Sequence, residues 1–395
     1  MLKIAYFTTW PPRECGIATF AYDLAKAIEK KRPKISWRVI ALDDPTKHYN
    51  YDSKVLYKID RTDLKSYIKT AHYINQSDID LLVIQHEFNL YGKHGGGRVL
   101  TLLRLLKKPV VVIFHSLPHP SDRKYSDKKK KISITNKIVA LAQKAVVVCP
   151  SARNRFIDIY KANSKKIVLI PHGSPKIPKI KPGSVKNKLG FSNNILLLNF
   201  GFIGKRKNIE TIIKAMPKIN KKFPSAKLLF LGGAGAYPFA QKNLKIYLRK
   251  VKQLVKKLKV EKNVLFITGF IPIKKVIKFY QGADVFIYAN KFSSQPASGP
   301  LTYAVTAGKA IVSTSFAYAN DILSKNNGLL VPIGDSKALA AAVCKILSRP
   351  KLKAKLEKES YNTGKNFLWE KVANDYIKLF KTVIKKSKKQ TSFQK

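Results

Sequence analysis

Short apolar runs alternate with amphipathic segments along almost the whole chain, and this rhythm narrows the available folds more than any other feature. LKIAYFTT (2–9), ISWRVIAL (35–42), KVLYKI (54–59), LLVIQHEF (81–88), PVVVIFHS (109–116), KAVVVCPS (144–151) and KIVLIPHGS (166–174) read as strands. Helical stretches lie between them, such as FAYDLAKAIEKK, where Phe20, Leu24, Ala27 and Ile28 share a face. Continuous apolar strands separated by helices predict parallel sheets with both faces covered. SPKIPKIKPGSVKNKLG (174–190), rich in Pro, Gly and Lys and without a period, reads as a linker. A second series follows, with ILLLNF, KLLFL, NVLFITGF, DVFIYANK, IVSTSF and GLLVPI as its strands. The expected fold class is α/β, with two Rossmann-like parallel-sheet domains facing across a cleft. The last helix, NFLWEKVANDYIKLFKTVIKK, carries the stripe Phe367, Val372, Tyr376 and Phe380, and is expected to cross back onto the first domain. The predicted division is 1–175, a linker at 176–190, a second domain at 191–365, the crossover helix at 366–388 and a disordered tail at 389–395.

At 395 residues the chain has the length of two domains, and its 45% hydrophobic content allows each a proper core. No run approaches the ~18 apolar residues of a membrane span. Lys3 precedes only the short IAYFTTW, unlike a secretion signal. Cys15, Cys149 and Cys344, odd in number and far apart, fit neither a disulfide framework nor a metal site. These features predict a cytoplasmic protein. The net charge is +53, and 64 of the 76 basic residues are lysine. Lysine is a point charge, without the planar fork that arginine brings to specific phosphate and base recognition. The excess therefore fits compositional drift, or attraction to an anionic membrane surface on the inner face of the plasma membrane, and no specific nucleic acid is expected as a partner. The densest run, SDRKYSDKKKKIS (121–133), reads as a solvated, membrane-facing loop.

Parallel strands deliver their carboxyl ends to one edge, and the candidate chemistry falls there. SSQPASGPLTYAVTAGKAIVST (293–314) reads as a strand exit, a helix start and a further strand. Pro300 suits the first helical position, with Gly299 as the cap. Ser298, Gly299, Pro300 and Leu301 then present unpartnered amides and a dipole to an anion. About a hundred residues upstream, GFIGKRKNIE leaves a strand with Lys205, Arg206 and Lys207 before its helix. Near the amino end, Gly16 precedes the first helix, where a missing side chain admits a ligand to the backbone. His86, His115 and His172 sit at or just past strand ends. Each feature has an ordinary alternative: a plain αβ turn, a surface lysine, a core histidine. Asp78-Ile79-Asp80 resembles a metal-binding DxD but precedes its strand, so it reads as solvated turn residues. No metal site is expected.

PPRECGIATFAYDLA, IQHEFNLYGKHGGG, VVVIFHS, VVVCPSARNRF, IPHGSP, GFIGKRKNIETIIKAM, FLGGAG, ITGFIP, YQGADVFIY, SGPLTYAVTAGKAIVST and GLLVPIGD follow one another in an order and spacing that resembles a family-4 retaining glycosyltransferase of GT-B fold, in the group-1 superfamily. The resemblance covers essentially the whole chain and is to the branch with PPRxCGIATF near its start. It implies metal-independent transfer of a hexose, with retention, from a UDP- or GDP-linked sugar to a hydroxyl of a glycan or lipid-linked acceptor. No cofactor is implied; the nucleotide sugar is a co-substrate. The first domain would take the acceptor and the second the donor. Lys207 matches the diphosphate-gripping lysine, with Arg206 beside it; the family's arginine five positions earlier is Phe202 here. Gly16 and the helix start at Ser298–Leu301 would meet the same diphosphate. Gly269, Phe270 and Pro272 match the loop that holds the base. His115 matches a histidine on the donor sugar, while His86 and Glu87 are candidates on the acceptor side. Two glutamates eight positions apart are replaced by Gln295, toward the sugar, and Tyr303, toward the ribose. An amide still hydrogen-bonds a sugar hydroxyl but carries no charge. Catalytic impairment, with binding of nucleotide or glycan retained, is the alternative reading.

Overall fold

In the computed structural model, which describes residues 1–44, 48–92, 94–120, 127–235, 240–324 and 326–392, the two series of apolar runs form two parallel sheets. The chain divides into a first unit, Met1–Gly173 with Trp369–Lys395, and a second unit, Ser174–Leu368.

The first unit runs β1 (Lys3–Thr8), α1 (Gly16–Lys31), β2 (Ser36–Asp43), β3 (Val55–Asp60), α2 (Leu64–Gln76) and β4 (Leu81–His86). It continues through α3 (Val99–Leu105), β5 (Val110–Phe114), α4 (Lys128–Leu141), β6 (Lys144–Val147), α5 (Pro150–Asn154) and β7 (Ile167–Leu169). Its strand order is β3-β2-β1-β4-β5-β6-β7. The second unit contains α6 (Pro182–Leu189), β8 (Ile195–Phe200), α7 (Ile209–Lys222), β9 (Ala226–Leu231), α8 (Ala240–Lys257) and β10 (Val264–Ile267). Then come α9 (Ile273–Gly282), β11 (Val285–Tyr288), α10 (Gly299–Thr306), β12 (Ala310–Thr314), α11 (Ala317–Ile322), β13 (Leu329–Val331), α12 (Ser336–Leu347) and α13 (Pro350–Gly364). Its order is β10-β9-β8-β11-β12-β13. The last helix, α14 (Trp369–Ser392), rejoins the first unit.

The central strands are buried on both faces, as their uninterrupted apolar runs require. Helix α14 lays Val372, Tyr376 and Phe380 against Leu24 and Ile28 of α1 and the β1–β2 face. Phe367, expected on the same stripe, instead closes a short turn in the second unit. The two chain crossings between units lie side by side: Ser174 N–H donates to the Phe367 carbonyl at 2.7 Å, and Gly173 rests on the Trp369 indole.

Several expectations are corrected. Most of the expected linker is helix α6, begun by Pro182 and ended by Gly190 in the left-handed conformation. The Lys and Pro content hid a helix bracketed by ordinary start and stop residues. Lys186 pairs with Asp284 at 2.8 Å, and Asp284 also accepts the Leu196 N–H, which fixes α6 to the second sheet. The crossover helix starts at Trp369 and runs to Ser392, into the expected tail; residues 393–395 lie outside the described ones. Within the basic run, 121–126 lie outside the described residues and Lys128 onward is helix α4 rather than loop. The last residues of KLLFLGGAGAYP, 236–238, also lie outside them. Asp80 is an anchor at the amino edge, accepting the Lys3 N–H at 2.9 Å, while Asp78 pairs with the Lys3 amine.

His86 is core. It is fully buried at the end of β4, with its ring 4.9 Å from Phe88 and from Phe114 and stacked at 5.6 Å on Tyr91. Neither ring nitrogen has a hydrogen-bond partner among the described residues. Such a residue has no surface to offer an acceptor, which corrects that assignment. Desolvation pushes its pKa down to about 3.

Two outcomes follow. An alanine at Gly173 puts a methyl carbon 2.1 Å from Cε3 of Trp369, so G173A should cost about 1–3 kcal/mol. An unchanged thermal midpoint would show that the crossing repacks freely. For His86, the folded pKa lies below the unfolded value of about 6.5, so its contribution is full above that pH and is lost as pH falls. At pH 5 the loss is about 2 kcal/mol for this ring. H86F should match wild type at pH 7.5 and unfold at a higher temperature than wild type at pH 5; parallel pH profiles would refute the burial argument.

Candidate functional site

In the second unit the strand order reverses between β8 and β11, and loops leaving strands at such a point form the crevice where α/β sheets bind ligands. Those loops carry Gly201–Lys207 and Lys291–Pro300. The Lys207 amine donates to the hydroxyl of Tyr288, the buried last residue of β11, and stands 4.9 Å from its ring centroid. Lys291 N–H donates to the Arg206 carbonyl at 3.0 Å. Arg206 Nη2 donates to Gln295 Oε1 at 3.4 Å, and Gln295 Nε2 donates to the Ala297 carbonyl at 3.1 Å. The ammonium and the start of α10 thus share one strand-exit edge, with Arg206 reaching from one loop to the other.

This packing depends on backbone without side chains. Gly201 and Gly232 adopt φ of +132° and +139°, which L side chains rarely tolerate. A Cβ at Gly232 would sit 2.0 Å from the Gly201 carbonyl oxygen, and one at Gly201 would meet Pro300 Cγ at 3.2 Å. A Cβ at Gly233 would sit 2.9 Å from the Gly269 carbonyl. The exits of β8, β9 and β10 therefore stack backbone on backbone. Phe202 and Phe270 project from this stack, 37% and 49% exposed. Pro272 is the exposed cap of α9.

The start of α10 differs from the expectation. Ser298 is the cap, with Gly299 and Pro300 as the first two helical residues. Its Oγ accepts the Leu301 N–H at 3.3 Å, and its carbonyl accepts the Thr302 N–H at 3.0 Å. Pro300 has no N–H, so among the described residues the Ser298 and Gly299 N–H groups are the ones without a partner there. The open amides expected from Ser298 to Leu301 shrink to those two plus the Ser298 hydroxyl proton, since a serine cap satisfies what a glycine cap leaves bare. Tyr303 is 7% exposed and packs edge-on against Tyr280 at 6.4 Å, so it presents little surface to a ribose.

The edge is also poor in negative charge. Residues 191–324 contain four carboxylates, Glu210, Glu261, Asp284 and Asp321, the last on α11 beyond β12. Glu261 and Asp284 precede β10 and β11, at the opposite edge, and Glu210 accepts the Tyr247 hydroxyl at 2.5 Å.

In the first unit the strand order reverses between β1 and β4. Here the helix start is open: Cys15 gives α1 no side-chain cap, and Gly16, Ile17 and Ala18 have N–H groups without partners among the described residues. A Cβ on Gly16 would meet nothing within 4 Å. His115, just past β5, places Nε2 2.7 Å from Gln85 Oε1, which assigns the proton to Nε2 and leaves Nδ1 as an acceptor. Burial, with His172 and His86 nearby, pushes its pKa down to about 3. His172 donates from Nδ1 to the Gly173 carbonyl at 2.7 Å, and Phe20 stands edge-on to both rings. Glu87 caps the turn Phe88–Tyr91 by accepting the Asn89 N–H at 2.8 Å. The carboxylate, half-buried, thus has a structural role in the turn.

Sequence reasoning missed Tyr288, because nothing in a strand's apolar run marks the residue that will seat a lysine from the neighbouring loop. The Ser298 cap was readable from Ser-Gly-Pro by the preference of serine for that position. Among the described residues, no group of three or more His, Cys, Asp or Glu side chains is placed to hold a metal. No described helix is long and apolar enough to cross a membrane.

Residues 15–174 match the model of Glycosyltransferase Family 4, and residues 184–363 that of Glycosyl transferases group 1. A curated relative, the glycosyltransferase MJ1069 of Methanocaldococcus jannaschii, is 24% identical over 322 residues, 79% of this chain and 78% of its own. Similar solved structures include sucrose-phosphate synthase from Thermosynechococcus elongatus, with TM-score 0.77, 17% identity and coverage of 97% of this chain and 99% of its own. Anabaena HepE, solved in complex with UDP and glucose, has TM-score 0.77 at 15% identity and covers 97% of this chain and 100% of its own. WaaG, a glycosyltransferase of lipopolysaccharide biosynthesis, has TM-score 0.65 at 16% identity, with 95% and 99% covered. These structures share the GT-B fold with this one. The chain thus carries a Glycosyltransferase Family 4 domain in its first half and a Glycosyl transferases group 1 domain in its second.

Proposed function

We propose that the protein transfers a hexose, with retention and without a metal, from a UDP- or GDP-linked donor to a hydroxyl of a glycan or lipid-linked acceptor. The observation that carries this reading is the Lys207 ammonium seated on Tyr288 at the β8–β11 reversal, on the same edge as the start of α10. As the bond from the anomeric carbon to the phosphate oxygen breaks, the electron pair leaves with the nucleoside diphosphate. Preorganised cations and dipoles facing that developing charge stabilise the transition state more than the ground state. Lys207, the Gly299 N–H, the Ser298 hydroxyl and the α10 dipole supply them in the second unit. In the first unit taken by itself, the open start of α1 offers amides to an anion. Phe270, Gly269 and Pro272 are assigned to the base. His115, held neutral across the physiological range, accepts a hydrogen bond from a donor-sugar hydroxyl through Nδ1. In the second unit, the Gln295 amide is assigned to a sugar hydroxyl.

The capture of UDP with Anabaena HepE, a structure of the same fold, supports a nucleotide sugar as the partner. The lysine excess supports a cytoplasmic enzyme working on an acceptor held at an anionic membrane surface. A second reading, binding without turnover, is favoured by Tyr303 being buried where the resemblance expects a ribose-gripping glutamate.

K207A should weaken binding of UDP or GDP about tenfold or more, because a charge-assisted hydrogen bond to the diphosphate is lost. Calorimetric titration of wild type and variant checks this; equal affinities would sink the assignment. Wild type should release nucleotide from at least one of UDP-glucose, GDP-mannose and the corresponding uronates when offered a membrane extract as acceptor. Tight nucleotide binding without release under any acceptor mixture would select the second reading.

A further inference from the structure

We propose that the sugar half of the donor is itself anionic, a hexuronic acid, and that Arg206 recognises its carboxylate. This rests on the donor-site reading above and adds to it the chemical class of the sugar. Lys207 and Arg206 are neighbours in sequence, but their side chains part: Lys207 turns onto Tyr288 at the end of β11, and Arg206 reaches Gln295 in the loop before α10. Gln295 is the residue assigned to the sugar, so the guanidinium stands at the sugar end of the site. Its only side-chain partner among the described residues is that neutral amide, at 3.4 Å. The amide cannot turn away to solvent without giving up the Ala297 carbonyl. An exposed guanidinium therefore faces the site with its charge uncompensated and most of its planar fork unused.

Among the described residues no carboxylate is ion-paired with Arg206, and no Asp or Glu occurs in 200–209, 232–235, 268–273 or 288–301, the segments leaving β8, β9, β10 and β11; the carboxylate of the next exit, Asp321, lies on α11. Glu210, the first carboxylate beyond β8, is engaged by Tyr247. Lys207 and the start of α10 already answer the diphosphate. A neutral hexose would leave Arg206 with hydroxyls alone, whereas a C6 carboxylate offers two oxygens matching the fork. An edge with cations at both ends and no carboxylate between them suits a ligand charged at both ends.

The test is calorimetric titration at physiological salt with UDP-glucose, UDP-glucuronate, GDP-mannose, GDP-mannuronate and the two free diphosphates. With the base that binds, the uronate should bind at least about tenfold more tightly than the hexose. R206Q should bring that ratio to within about twofold. K218Q, which removes the same charge from an exposed site on α7, should preserve it. A wild-type ratio near one, with nucleotide bound, overturns the anionic sugar and leaves the donor site standing. A ratio eroded equally by K218Q and R206Q overturns it too, because the preference then belongs to the +53 field of the whole chain. If the folded protein binds no nucleotide at all, both readings fall.

Discussion

In a parallel sheet every strand ends at the same edge, and each connection must leave that edge as a loop before a helix carries the chain back. At the point where strand order reverses, two adjacent strands send their loops to opposite sides and a crevice opens between them. In the second unit that point lies between β8 and β11, and the lysine, the arginine, the glutamine and the capped helix all come from the two loops there. The chemistry of the site follows from this one geometric fact. What the loops need in addition is permission to approach each other, and the glycines grant it. Gly201 and Gly232 hold positive φ, and Gly232 leaves no room for a Cβ beside the Gly201 carbonyl.

The electrostatics of that edge come from placement more than from total charge. A chain with 76 basic residues has lysines on every face, and most of them specify nothing. Lys207 differs because Tyr288 orients its amine, so less side-chain freedom remains to be lost when an anion arrives. The carboxylates of residues 191–320 sit mostly at the far edge, where Asp284 ties Lys186 and the Leu196 amide to the sheet. Negative charge thus holds the structure together at one end of the strands, and positive charge is left free at the other.

In the first unit burial sets the chemistry. His86, His115 and His172 arrive at one strand edge; His115 and His172 each have one ring nitrogen hydrogen-bonded, whereas neither nitrogen of His86 has a partner among the described residues. His86 spends its position on packing, His172 hydrogen-bonds the carbonyl of Gly173 at the crossing between units, and desolvation keeps all three neutral. The helix starts show a similar division. Ser298 consumes one of the amides of α10, while Cys15 leaves those of α1 open, so the helix end with the more evident anion-binding sequence offers fewer donors.

The alternation of apolar runs and amphipathic stretches was enough to determine two parallel sheets and their covering helices, since the period of burial is written residue by residue. The same pattern marked α14 as a helix needing a partner surface, and the order of glycine-bearing exits pointed to the strand edge that carries Lys207. Tertiary structure decided which residues at that edge are available. Nothing local distinguishes His86 from His115, because both follow apolar strands; the aromatic cage of Phe88, Tyr91 and Phe114 is assembled from separate segments. Tyr288 became the seat of Lys207 only when β8 and β11, 88 residues apart at their paired positions Leu198 and Phe286 by way of two intervening strands, were laid side by side. Sequence fixes what each residue prefers within a few neighbours, whereas burial, neutralisation and partnership are set by residues that only folding brings near.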